Sequence, residues 1–273
     1  MAVKYLSGNR LWGTNAERLA LSTLASADWT IYDNAKIGIS DDRLNIDAVM
    51  DGSQDNMYHT LDSTASADWV LRWKQRWTTI TQQGGYDNTI KMGLASSGTT
   101  GGNSDEPNRV SVMLQIEGTT GKRTWYLQKV GGGGQDSHNY NGEDVFVVDT
   151  DYYLELIKNG TDATFTIKTV SYDGSNIADG SLSIADISVS GQNTIFIDNR
   201  DIDGGSGQSV NISYISEMFW YDNWDGTGSV PTPTTTFDFT DVYPSLPNGT
   251  IFITSDTNVH YMWNGTDTWN EVA

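Results

Sequence analysis

The sequence predicts an all-β fold of two antiparallel sheets packed face to face, and three observations carry that prediction. The first is the stretch Asp68–Thr78, DWVLRWKQRWT. Trp69, Leu71, Trp73 and Trp77 fall on one side of a period-two alternation, with Gln75 its sole polar member; Val70, Arg72, Lys74, Arg76 and Thr78 fall on the other. Successive side chains of a strand point to opposite faces, so this is a long strand with a heavy apolar face and a basic face. At helical spacing the aromatics would share their faces with the charges. Burying each large apolar side chain stabilises by roughly 2 kcal/mol, and a second sheet is the natural partner. The second observation is composition. The chain has 10 Trp, 13 Tyr and 28 Gly, aromatics suited to strands and glycine to tight turns. The third is that no ten-residue helical pattern separates the strand signals.

Met1–Leu24 reads as an N-terminal arm. Thr14 with Glu17 three residues on has capping-box spacing, so 14–24 makes a short helix or, equally, an extended arm packed on a neighbouring subunit. Strand signals follow at Asp28–Tyr32, Lys36–Ile39, Arg43–Ile46, Met57–Leu61, the stretch above, Thr89–Ala95, Arg109–Glu117, Arg123–Val130, Tyr152–Lys158, Thr164–Val170, Leu182–Val189, Thr194–Asp198 and Val210–Tyr221. Turn dipeptides such as Asn159-Gly160 and Asp173-Gly174 punctuate them. Ser96–Pro107 and Gly131–Gly142 are polar, glycine-rich and long for sandwich loops. Ser229–Thr236, SVPTPTTT, is a linker between a main unit at 25–228 and a C-terminal β-hairpin module at 237–273. About 35 residues cannot bury an independent core, so that module should dock or associate with its copies.

The formal net charge is -19, from 16 basic against 35 acidic residues. So acidic a chain repels phosphate backbones, which argues against nucleic acid as a partner. With no cysteine, disulfides and thiolate metal sites are excluded. Met1–Asn15 has no apolar run of the secretory kind, and no segment approaches the ~20 apolar residues of a membrane helix. The expectation is a protein made in the cytoplasm that leaves, if it acts outside a cell, within a particle.

The run from DWTIYDNAKIGIS to ADWVLRWKQRWT, closed by VNISYISEMFWYD, resembles a concanavalin A-like (laminin-G-like) jelly roll over roughly Ala25 to Asp225. The ends, VKYLSGNRLWGT and LPNGTIFITSDTNVHYMWNGTDTWNEV, resemble segments of tail and particle-surface proteins of marine phages and archaeal viruses. The first resemblance implies a two-sheet jelly roll. The second implies a virion structural component. The expected partners are other virion proteins, copies of itself and a host-surface glycan.

Candidate chemistry divides four ways. Hydrolases resembling laminarinases on this fold carry a strand with paired Glu and Asp; two carboxylates about 5 Å apart would be needed. None of the seven glutamates sits in such a motif, so no catalytic residue is expected. Asn199, Asp201 and Asp203, followed by Gly204, match the first half of a calcium loop, with Asp198 beside them as a further candidate ligand. Position twelve is Val210 rather than Glu, so a calcium site needs a carboxylate from elsewhere, such as Asp222 or Asp225; the alternative is an acidic turn. Trp125, Tyr140, Trp220, Tyr221 and Trp224 are candidates for stacking on sugars; Trp125 alternates on a strand and reads as core, while Trp224, in the turn-like DNWDG, reads equally as an exposed ring or as one packed against the linker. Arg72, Lys74 and Arg76 offer a docking patch for an acidic partner or anionic glycan, or else a face of cross-strand ion pairs. The expectation is a non-enzymatic virion surface protein (capsid decoration, tail or fibre) acting in assembly and host adhesion as a homo-oligomer. A free glycan-binding lectin module comes second and a polysaccharide hydrolase third.

Overall fold

The computed structural model describes residues 16–18, 29–32, 36–41, 43–49, 54–61, 64–81, 88–97, 108–117, 122–131, 134–140, 145–184, 191–201, 210–228, 251–253, 260–263 and 269–272. They contain strands and no helix. In chain order these are β1 (Ala16–Arg18), β2 (Thr30–Tyr32), β3 (Ile37–Ser40), β4 (Arg43–Val49), β5 (Gln54–Thr60), β6 (Trp69–Thr81), β7 (Asn88–Ala95), β8 (Arg109–Ile116) and β9 (Arg123–Gly131). There follow β10 (Gly134–Tyr140), β11 (Asp151–Asn159), β12 (Asp162–Lys168), β13 (Asn176–Ser183), β14 (Thr194–Asp201), β15 (Val210–Asp222), β16 (Ile251–Ile253), β17 (His260–Trp263) and β18 (Trp269–Val272).

The alternating stretch becomes β6, and it is central. The first sheet runs β13-β12-β11-β6-β15-β4-β3, with β1 also paired to β15; the second runs β10-β9-β8-β7-β14-β5-β2. All pairings are antiparallel. Trp69, Trp73 and Trp77 are among the largest fully buried side chains, and with Leu71 they face Ile90, Met92, Leu94, Val112, Trp125 and Ile197 of the opposing sheet in one core. Each indole N–H finds an acceptor: Trp69 donates to Gln192 Oε1 (3.3 Å), Trp73 to Gln75 Oε1 (3.0 Å) and Trp77 to Asn211 Oδ1 (2.7 Å). Gln75, the polar exception in the alternation, also donates to Ser213 Oγ at 2.9 Å, so its burial leaves no amide atom stranded.

β15 needs two register shifts against β6, after Ile212 and after Ile215. The second changes the parity of the strand. Ile215 faces the core, Glu217 lies opposite Lys74 on the outer face, and Met218 returns to the core opposite Trp73. Strict alternation would have driven a glutamate between the sheets; the bulge avoids that cost.

Three expectations are corrected. Residues 16–18 take the extended alternative rather than the helix, but on this chain and not on a neighbouring subunit: Ala16, Glu17 and Arg18 pair with Tyr221, Trp220 and Phe219. The glycine-rich stretch 131–142 contains β10, laid along β9 from Gly134↔Gly131 to Tyr140↔Trp125; ladder hydrogen bonds override a poor strand composition. The strand expected at 182–189 ends at Ser183 and begins at Asn176. β13 is an edge strand with a mostly exposed sequence, NIADGSLS, so it carries no apolar alternation to mark it. The C-terminal strands form a separate three-stranded sheet, β16-β17-β18. The 229–236 linker lies outside the described residues. Among the described residues no helix is long and apolar enough to cross a membrane.

Candidate functional site

Partners across an antiparallel ladder share a face, so the pairing of β6 fixes what surrounds its basic side. Arg72, Lys74 and Arg76 lie opposite Glu155, Tyr153 and Asp151 of β11. On the other side they lie opposite Phe219, Glu217 and Tyr214 of β15. The result is a charged and aromatic face on the outside of the first sheet. Arg72 Nε donates to Glu155 Oε2 in a short contact. Lys74 Nζ sits 3.0 Å from Asp151 Oδ2, while Arg76 reaches Asp151 Oδ1 at 3.4 Å and Asp149 Oδ1 at 3.5 Å. Lys168 Nζ adds a second cation 3.7 Å from Glu155 Oε1.

Aromatic rings run across the same face in a continuous ribbon. Tyr153 meets Tyr172 edge-on with centroids 5.1 Å apart, and Tyr172 meets Phe219 at 6.1 Å. Phe219 lies nearly parallel to Tyr221 at 6.3 Å and 20°, and Tyr221 meets Trp224 at 5.0 Å. Tyr172 comes from the connection between β12 and β13, and Trp224 from the turn after β15. The two therefore close over the sheet from opposite sides. Between them the Arg72 guanidinium carbon lies 4.7 Å from the Trp224 ring centroid, 5.3 Å from Tyr172 and 5.6 Å from Tyr221. Arg72 is 6% exposed and Glu155 4%. This ion pair is thus sealed beneath rings, where cation–π contact replaces lost hydration.

The electrostatics follow from those contacts. Partial burial opposes the charge on Lys74, but the hydrogen bond and attraction of Asp151 outweigh it and raise the lysine pKa. Burial likewise opposes the charge on Asp151, and Lys74 and Arg76 together hold its carboxyl below the usual range. Burial pushes the Tyr172 hydroxyl far up, against the pull of Arg72. That hydroxyl is also enclosed without a hydrogen-bond partner.

The structure therefore brings four of the expected binding residues, Arg72, Lys74, Arg76 and Trp224, onto one face, though in altered roles. Trp224 is only 8% exposed, its Nε1 donates to Thr227 O at 2.6 Å, and it packs with Val70 and Tyr221. Of its two readings, exposed ring or packed ring, the packed one holds, and it serves as a buried support. The half-buried rings of the ribbon are Tyr153, Tyr172 and Phe219, which sequence reasoning missed. Phe219 was hidden by the bulge, and Tyr172 sits in a turn with no strand pattern to place it. Trp125, Trp220 and Tyr221 are buried in turn. Tyr140 lies on β10 of the other sheet, and its side chain is outside the described residues.

Asp198 and Asn199 are consecutive in β14, paired on both sides by β5 and β7, so their side chains point to opposite faces. Asp198 Oδ2 instead lies 3.7 Å from Lys91 Nζ, with both side chains buried. The strand continues through Asp201; the side chain of Asp201 and the whole of Asp203 are outside the described residues. Among the described residues no cluster of three or more His, Asp or Glu is placed to hold a metal ion.

The Lys91–Asp198 pair belongs to a second polar layer, on the outer face of the second sheet. Asn56, Thr89, Ser111, Thr124 and Gln128 share it, all buried. Asn56 Oδ1, Ser111 Oγ, Thr124 Oγ1 and Gln128 Oε1 have no hydrogen-bond partner there. Gly93 sits within this layer because Ser111 crowds it: an added Cβ would come within 2.1 Å of the Val110 carbonyl oxygen and 2.8 Å of Ser111 Cβ.

No protein-family model matches the chain, and no curated protein matches it in sequence. Solved structures do match in fold. The CBM2 module of the evolved Dit of Lactobacillus casei BL23 phage J-1 superposes with a TM-score of 0.55 at 12% identity, over 78% of this chain and 99% of that one. The chain has the concanavalin A-like jelly-roll fold. Apo Crh5 transglycosylase gives 0.50 at 10% identity, over 80% of this chain and 88% of that one. Peanut lectin gives 0.49 at 9% identity, over 75% and 95%. At such identities the likeness is one of fold alone. Because it extends to an enzyme as well as to a phage module, the jelly roll by itself does not select a chemistry.

Proposed function

We propose that this jelly roll is a glycan-binding protein of a virus particle, holding a surface polysaccharide of the host on the outer face of its first sheet. The observation that carries the reading is the ribbon of rings from Tyr153 through Tyr172 and Phe219 to Tyr221 and Trp224. Sugar rings present apolar C–H faces that stack on aromatic side chains. Their hydroxyls need fixed donors and acceptors close by, and Lys74, Asp151, Arg76 and Glu217 supply both around the half-buried rings. The fold likeness to a phage CBM (carbohydrate-binding) module supports a place on a virion, where the protein would adhere to the host and assemble with its copies and with other virion proteins. No bond-breaking step is assigned: Glu155 is paired with Arg72 and Lys168, and Asp151 with Lys74 and Arg76.

A glycan array with the full chain tests the reading. Binding should appear and fall at least about tenfold, or about 1.4 kcal/mol, in Tyr153→Ala and in Phe219→Ala, both of which keep the folded far-UV signature. An array without any hit, or hits untouched by both variants, would sink it. Detection of the chain in purified particles by mass spectrometry checks the virion assignment separately.

A further inference from the structure

We infer that the ligand of the ribbon is an uncharged glycan, an inference that rests on the ribbon being the glycan platform. A face built around three strand cations on so acidic a chain invites the opposite reading, that it captures uronate or sulfate groups. The geometry argues against it. Each β6 cation is already committed to an acid: Arg72 to Glu155, Lys74 to Asp151, and Arg76 to Asp151 and Asp149. Lys168 shares Glu155, and Arg43, two strands from β6, lies with its guanidinium over the Tyr214 ring at 4.1 Å. The most buried of these cations, Arg72, is capped by Tyr172, Tyr221 and Trp224 and cannot meet a ligand without their displacement. It positions rings rather than touching ligand.

The face is therefore a neutral island on a molecule of net charge -19. An approaching polyanion meets long-range repulsion from the whole protein and finds no uncommitted β6 cation at the end of the approach. A neutral chain meets no such barrier. It finds half-buried Tyr153, Tyr172 and Phe219 as apolar surface and the paired charges as fixed hydrogen-bonding groups. Paired charges suit hydroxyls well, since each pair presents a donor and an acceptor side by side without net charge.

The test is titration calorimetry of the full chain with dextran, laminarin and mannan as uncharged probes and with alginate, polygalacturonate and heparin as anionic ones, each at about 0.05 and about 0.5 M NaCl. The expected result is binding to an uncharged probe, changed less than about twofold by salt and lost in Tyr153→Ala and Phe219→Ala. Binding confined to an anionic probe, weakened by salt and still lost in the ring variants, overturns the ligand class while leaving the ribbon as the site. Binding to no probe, or binding that both ring variants retain, overturns the ribbon reading itself.

Discussion

Replacing Glu155 by leucine should destabilise the protein far more than its single ion pair would at a surface. Glu155 is 4% exposed and Arg72 6%, and the guanidinium has three rings around it instead of water. Removing the carboxylate leaves an uncompensated charge in that enclosure, a change that costs about 3–5 kcal/mol, whereas an exposed pair is worth about 0–1 kcal/mol. Lys168 loses its partner too, but at 12% side-chain exposure it can turn toward water more easily. The double variant Arg72→Met with Glu155→Leu removes both charges and keeps the apolar volume beneath Tyr172 and Trp224. It should recover to within about 1 kcal/mol of the parent, or exceed it. Urea unfolding followed by tryptophan fluorescence, with slopes compared across the four members of the cycle, measures the coupling directly. A Glu155→Leu cost below about 1 kcal/mol, or a double variant as unstable as the single, would refute the claim that this pair is sealed.

Thr124→Val replaces a buried hydroxyl that has no partner with a methyl of similar shape, so urea midpoints should rise, by about 1 kcal/mol in stability. Gly93→Ala should cost about 1–3 kcal/mol or more, because the new methyl meets backbone on β8 rather than a movable side chain. Trp77→Ala, which empties the space between Phe146 and Tyr152 and orphans Asn211, should cost about 3–5 kcal/mol by the same assay. Because Lys74 and Arg76 depress the Asp151 carboxyl, its ion pairs stabilise fully above the ordinary aspartate range and are lost as pH falls through the lowered value. Glycan binding, followed by calorimetry, should hold down to about pH 4 and decline below it. Asp151→Asn should remove that step.

Much of the fold was legible because β6 alternates cleanly from Trp69 to Trp77: apart from Gln75, every second residue there is large and apolar, and that set lines the core between the sheets. Its basic face was equally legible as a set of residues, since alternation alone puts Arg72, Lys74 and Arg76 together. Their neighbours were not legible. Which acids lie opposite depends on strand order, and nothing local announces that β11 flanks β6 on one side and β15 on the other. The bulge after Ile215 hid Phe219 and Glu217, because a single extra residue inverts every later assignment on that strand. β10 was missed for a different reason. A strand made of GQDSHNY has no propensity of its own and exists because β9 offers it a ladder. Trp224 illustrates the limit for site residues: a tryptophan in a polar turn reads as exposed or as packed alike until the turn is seen to fold back over Arg72.

The placement of β15 has a consequence for how the molecule is made. It is the last strand of the two main sheets to leave the ribosome, yet it lies in the interior of the first, flanked by β6 on one side and by β4 and β1 on the other. Until residues 210–222 emerge, β4 and β6 have no strand between them, and both present open edges and an uncovered apolar stripe. A nascent chain halted there is a template for adding a foreign strand. Productive folding of the two sheets must therefore wait until residues 210–222 have emerged, and chains cut short within β15 should be recovered as aggregate rather than as a smaller soluble domain.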